Sequence, residues 1–177
     1  MAKATEIATI DVCLVKAGSV SLTTANQIQI EPQIETTDAI KLIVKGVLIA
    51  QKREINTITG HTITLTDNVF NPPLVKILQG GEFTTGADGK ITSYTPPVAG
   101  SSPTEIEPFT LTVYTAQYDA SGLIVQYEKT EYPNCTGQPI SMSAQDDVFR
   151  VNEYTIISAP DEGQPPYTIS YVDTLPT

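Results

Sequence analysis

The sequence holds no tryptophan, one histidine and only two cysteines in 177 residues. A histidine-dependent catalytic centre would have to recruit His61 with Cys13 or Cys135, and neither thiol lies near it in sequence. Flanked by threonines in "GHTITLT", His61 reads as a strand-surface or turn residue. The patterns HExxH, CxxC, DxDxDG and Gly-Lys-Ser/Thr are all missing, so no catalytic, cofactor or metal site is expected. "GGEFTTG" (80–86) has glycines but neither a lysine nor a following helix pattern, which makes it a turn. Asp146 and Asp147 are adjacent in "SAQDDVFRV", where neighbouring strand residues point to opposite faces, so they read as a solvated turn rather than a working carboxylate pair. The two cysteines lack a second Cys or His at ligand spacing, and two buried or incidental thiols are expected in place of a bridge. "NCT" (134–136) fits a glycosylation sequon, but nothing secretory accompanies it.

Long apolar runs are also missing. Glu6, Asp11 and Lys16 interrupt the first twenty residues, which excludes the pattern of a signal peptide or membrane span and predicts folding in a cytoplasm. Basic residues are scarce where acidic ones concentrate. Residues 1–100 carry 9 acidic and 8 basic side chains, whereas residues 101–177 carry 11 acidic ones and only Lys129 and Arg150 as basic. With a net charge of −10, such a surface repels phosphate backbones and anionic lipid. The absence of tryptophan weakens any sugar-binding stripe; Tyr114, Tyr118, Tyr127, Tyr132, Tyr154, Tyr167 and Tyr171 fit half-buried sheet faces and interfaces instead.

What the chain does have is β patterning. Residues 6–15, 26–35, 39–51, 56–66, 109–118, 122–130, 148–158 and 167–172 carry β-branched or aromatic residues at period two or in short apolar runs. About eight strands, with no fixed repeat, predict one mainly β domain over 1–177 with two packed antiparallel sheets, as a sandwich or barrel-like fold. "YDASGL" (118–123) predicts a hairpin turn closed by Gly122. At Gly46, "VKGVL" is compatible with a bulge inside one strand or a tight turn between two. Residues 81–108, rich in Gly and Pro with one short strand candidate at "KITSY", read as a long loop excursion of the kind that engages a partner.

One segment departs from the β pattern. In "HTITLTDNVFNPPLVKILQGG" (61–81), Ile63 and Leu65 alternate with threonines as in a strand, after which Val69, Phe70, Leu74, Ile77 and Leu78 fall at helical spacing. Asn71 suits the N-cap, Pro72 the first helical position and Gly80-Gly81 the stop, so a short flanking helix is predicted near 71–79. A β protein of this kind must pair, cover or charge its edge strands, and controlled self-pairing points to an assembly subunit.

The segment "GVLIAQKREINTITGHTITLTDNVFNPPLVKILQGGEF" (46–83), followed by "ITSYTPPVAG", "PFTLTVYTAQYDASGLIVQYEKTEYPNCTGQPI" and "FRVNEYTIISAPDEGQPPYTISYVDTLP", resembles the major tail (tail tube) proteins of long-tailed bacteriophages and phage-like particles. The resemblance runs over about residues 5–176 and rests on the ordered set rather than on one sharp motif.

The resemblance implies hexameric rings stacked into a hollow tube, with one sheet of each subunit joined to its neighbours in an inner barrel. It also implies an acidic lumen that DNA passes without sequence-specific binding during ejection, and no enzymatic activity. Partners would be other copies of the chain and tape-measure, terminator, baseplate-hub or sheath proteins; the location would be a virion tail assembled in a host cytoplasm. A hairpin between early strands contacts the next ring in that family, and its best match is "AQKREINTITG" (50–60), where Lys52, Arg53 and Glu54 are expected as a mixed charged tip. Phage-derived bacteriocins and secretion tubes share this fold. A carbohydrate-binding adhesion or virion decoration module is the alternative from another class.

Overall fold

The computed structural model describes residues 8–100 and 106–176. Glu6 and Ile7, at the start of the first expected strand, lie outside the described residues. In chain order the elements are β1 (Thr9–Ala17), β2 (Val20–Leu22), β3 (Ala25–Thr37), β4 (Ile40–Val44), β5 (Val47–Lys52), β6 (Ile55–Asp67), α1 (Pro72–Gln79), β7 (Glu82–Thr85), β8 (Ile91–Thr95), β9 (Phe109–Tyr118), β10 (Ile124–Gly137), β11 (Ser141–Gln145), β12 (Val148–Ser158) and β13 (Thr168–Val172). The chain is thus mainly β with one short helix, as its periodicity predicts. Strands the periodicity missed, such as β2, β7 and β11, have three to five residues, too few for alternation to register.

One large antiparallel sheet follows the path β2-β1-β9-β10-β12-β6-β3, with β11 beside β12 and β13 beside β10; β4-β5 and β7-β8 are separate hairpins. The path turns within β10. Residues Ile124–Tyr132 pair with β9, Cys135 pairs with both Phe109 of β9 and Ser158 of β12, and Thr136 and Gly137 pair with β12. Between them lies Pro133-Asn134, where Asn134 takes a left-handed φ of 49°. That bend is clamped: Asn134 Nδ2 donates to the Ala159 carbonyl at 2.6 Å, and Ser158 Oγ to the Pro133 carbonyl at 2.9 Å. Two halves of one hydrogen-bonded path therefore face each other.

The core lies between those halves. Val15, Ala17, Leu111, Val113 and Tyr132 come from one side and Ile63, Leu65, Tyr154 and Ile156 from the other. Leu74, Val75 and Leu78 of α1 join the same cluster. The helix forms where predicted: Asn71 Oδ1 accepts the Leu74 N–H at 3.1 Å, Pro72 and Pro73 open the first turn, and Gly80, at φ 78°, donates its N–H to the Lys76 carbonyl at 2.9 Å. Val69, counted above with the helical apolar set, precedes the cap and is 52% exposed. The helix sits so close to β10 that a Cβ at Gly137 would overlap Leu78, which is why a glycine stands there.

Within the 81–108 excursion, of which 101–105 lie outside the described residues, β7 and β8 pair as a hairpin. Tyr94 ties it to the helix end, donating its hydroxyl to the Gly80 carbonyl at 2.7 Å and accepting Gln79 Nε2 at 2.9 Å. Gln79 Oε1 in turn accepts the Ile140 N–H at 2.9 Å, so one helix-end side chain joins the excursion to the main sheet.

Candidate assembly surface

Among the described residues, β4 and β5 form an exposed arm. Val44 and Val47 face each other across Lys45-Gly46, whose φ values of 51° and 81° are both positive, the signature of a two-residue primed hairpin turn. Of the two possibilities at Gly46, the tight turn is the one observed. Every residue of β4 and β5 is exposed on both faces. Ile40, Leu42, Ile43, Val44, Val47, Leu48 and Ile49 are each between 48% and 68% exposed. A run this apolar, left bare, is a docking surface or an aggregation site.

The arm extends a ladder that changes character along its length. In β6 the alternating residues His61, Ile63, Leu65 and Asp67 are buried, whereas residues 55–59 are exposed. On the partner strand β3, Ile34 pairs with Ile58 and both are exposed. Lys52 closes β5 opposite Ile40, and Arg53 and Glu54 link β5 to β6, across from the Asp38-Ala39 link between β3 and β4. All three residues are exposed, but they occupy the waist where the arm leaves the ladder. The expected charged tip is therefore misplaced: the reversal occurs at Lys45-Gly46, because two positive φ values close the hairpin there and the 52–54 charges fall between two strand pairs.

A second protrusion lies at the other end of the same sheet. Pairing of Asn152 with Asp67 and Ser158 with His61 runs β12 against the buried half of β6. The β11-β12 hairpin therefore extends past the Asp67 end, while the arm extends past the His61 end. Its turn is the predicted Asp146-Asp147, with Asp147 at φ 61°. Beside that turn Val148 is 60% and Phe149 83% exposed. Sequence reading missed Phe149; the Asp-Asp turn between two alternating runs was the available signal.

On the face of β12, β6 and β3 opposite the buried row of β6, the paired positions are mainly polar and include no Lys or Arg. Opposite the buried row of β6 stand Thr62, Thr64 and Thr66, paired with Glu31, Gln29 and Gln27 of β3 and, at Thr64 and Thr66, with Thr155 and Glu153 of β12. Gln29 Nε2 donates to Glu31 Oε1 at 2.7 Å, and Gln33 Nε2 to Thr62 Oγ1 at 3.0 Å. Among the described residues β3 is hydrogen-bonded to β6 alone, so the other side of this thirteen-residue strand is an edge.

The chemistry-bearing side chains are structural. His61 is 4% exposed, in contrast to the surface or turn position expected, because the bend in β10 brings Tyr132 against it. The Tyr132 and Tyr167 rings meet its imidazole edge-on at 5.2 and 5.4 Å, Nδ1 has no hydrogen-bond partner, and burial lowers its pKa. Cys13 and Cys135 are free thiols, as expected. Burial pushes Cys135 up to about 11, while Cys13 is raised by burial and by the Asp11 carboxylate. Asp67, buried, accepts the Thr24 hydroxyl at 2.7 Å and the Val69 N–H at 2.8 Å, fixing the strand end before the helix. No group of three or more His, Cys, Asp or Glu among the described residues is arranged to hold a metal ion.

No protein-family model matches the chain, and no curated protein matches it. Solved structures similar to it include chains of an extracellular contractile injection system and of the anti-feeding prophage. A chain of the sheath–tube complex of the extracellular contractile injection system PVC, in its extended state, has 13% identity and a TM-score of 0.47 over 90% of this chain and 88% of its own. The tube-terminating cap of the anti-feeding prophage has 12% identity and a TM-score of 0.49 over 96% and 99%. Hcp1 from Flavobacterium johnsoniae has 7% identity and a TM-score of 0.45 over 93% and 100%.

Proposed function

We propose that this chain is the structural subunit of a phage-like tail tube, acting as one domain whose copies join edge to edge in rings and stack into a hollow conduit. The observation that carries the reading is the arm: seven large aliphatic residues on a two-stranded hairpin with no covering layer. A chain that exposes such a hairpin and one side of a long edge strand stays soluble only if both are occupied by partners, and the simplest partner is another copy.

In this reading the rings are hexameric and the free side of β3 pairs with a neighbour's edge around each ring. The Thr, Gln and Glu face of β12, β6 and β3 then lines the channel, where the lack of Lys and Arg lets DNA slide without condensing on the wall. The arm reaches the next ring, with Lys52, Arg53 and Glu54 at its base forming part of that contact. Location in a virion tail, assembly in a host cytoplasm, and contacts with sheath, terminator, tape-measure or baseplate proteins belong to the same proposal.

Negative-stain microscopy of the concentrated protein tests it. Rings or tubes with an open channel are the expected result. Solitary particles at every concentration, with and without preformed tube ends as seeds, would overturn it.

A further inference from the structure

We infer that the acidic, apolar tip of the β11-β12 hairpin is the docking site for the β4-β5 arm of a second copy in the adjoining ring. This rests on the tube reading and adds the surface that receives the arm. Three observations lead to it.

The first is placement. The pairing register puts the two protrusions past opposite ends of one sheet, separated by the length of β6, about 40 Å for its 13 residues. A copy displaced along the strand direction therefore brings its arm toward its neighbour's β11-β12 tip without either surface meeting its own kind. Such a contact is head-to-tail and does not close on itself, which is the geometry a growing stack requires.

The second is charge. The arm and its base carry Lys41, Lys45, Lys52 and Arg53 against Asp38 and Glu54, an excess of cations in an otherwise acidic chain. The tip presents Asp146 and Asp147. Arg150, the cation nearest to them in sequence, is drawn back over the Phe70 ring at 5.0 Å. Arm against arm, or tip against tip, sets like charges together; arm against tip sets them in opposition.

The third is the apolar content at both ends. Phe149 is 83% exposed beside the turn, and the arm offers an aliphatic strip wide enough to cover a phenyl ring. A central aromatic anchor rimmed by charges is the usual composition of an energetically dominant contact.

Charge reversal tests the assignment with the whole chain. Lys41→Glu with Lys45→Glu makes an arm variant, and Asp146→Lys with Asp147→Lys makes a tip variant. Each should lower the tube mass pelleted at low salt by about tenfold or more. The chain carrying all four reversals should recover tubes, because its arm and tip are again opposite in charge. Phe149→Ser should lose tubes with no charge change. Circular dichroism and thermal melting confirm that each variant folds. A tip variant that pellets like the unaltered chain while the arm variant does not would overturn the docking site and leave the tube reading standing. So would a folded fourfold variant that fails to recover. An unaltered chain that never assembles overturns both.

Discussion

Replacing Leu42, Val44 and Leu48 together by threonine separates what holds the subunit folded from what holds copies together. Threonine is β-branched and suits a strand, so the hairpin itself persists. In the isolated chain these side chains are 54%, 48% and 49% exposed, so roughly half of each still has apolar surface to bury on contact. Full burial of such a side chain is worth about 1.5–3 kcal/mol, which leaves roughly 1 kcal/mol apiece, or about 3 kcal/mol per arm, for an intermolecular contact. That is on the order of a hundredfold in affinity for each contact, repeated at every arm of a ring. The cost to the monomer should stay within about 1 kcal/mol, since none of the three belongs to the buried core. Sedimentation velocity with thermal melting gives both numbers: the triple variant should melt within a few degrees of the unaltered chain yet form no tubes at matched concentration. A large drop in melting temperature would mean that the arm packs against its own subunit. Undiminished tube formation would mean that its aliphatics are not the contact. Either result refutes the reasoning.

Other expectations concern the fold beneath the arm. Gly137→Ala places a methyl group into Leu78 and should cost about 1–3 kcal/mol, read as a lower midpoint in urea unfolding with an unchanged slope. His61 is buried neutral with its pKa below the ordinary 6.5, so protonation favours the unfolded chain. Its contribution is complete above about pH 6.5 and is lost as pH falls through the lowered folded value, so a melting-temperature profile of His61→Gln should fall less between pH 7 and 5 than that of the unaltered chain. Cys135, fully buried and raised to about 11, should resist a thiol reagent at pH 8 until denaturant is added, whereas the half-buried Cys13 should react first.

Local chemistry was legible where its causes are local. The helix follows from Asn71, Pro72 and Gly80, each acting on backbone groups within four residues. The β9-β10 turn follows from Asp119, whose carboxylate accepts the Ser121 and Leu123 N–H groups at 2.8 and 3.0 Å, and from Gly122 at φ 79°. The candidate surface was legible only in outline. A contact region near 50–60 was expected from the family resemblance, but the charges there mark the arm's waist, and its aliphatic strands look in sequence like core. His61 failed as a surface residue for the related reason that Tyr132 and Tyr167 reach it from positions more than 70 residues away.

By itself, then, the amino-acid sequence determined the β class, the one helix and its caps, the turns at 118–123 and Asp146-Asp147, and the acidic, cation-poor C-terminal part. These depend on period, on φ preference and on charge, all of which a residue carries wherever the chain takes it. Only the tertiary structure decided which apolar runs are core and which are surface. "TITLT" in β6 and "LIVKGVLIA" in the arm are both rich in aliphatic and β-branched residues, yet Ile63 and Leu65 of the first join the buried core while, among the described residues, the aliphatic side chains of the second stay exposed. Burial belongs to a residue and its distant neighbours together, and those neighbours are chosen by the bend in β10 and the register of β12 on β6.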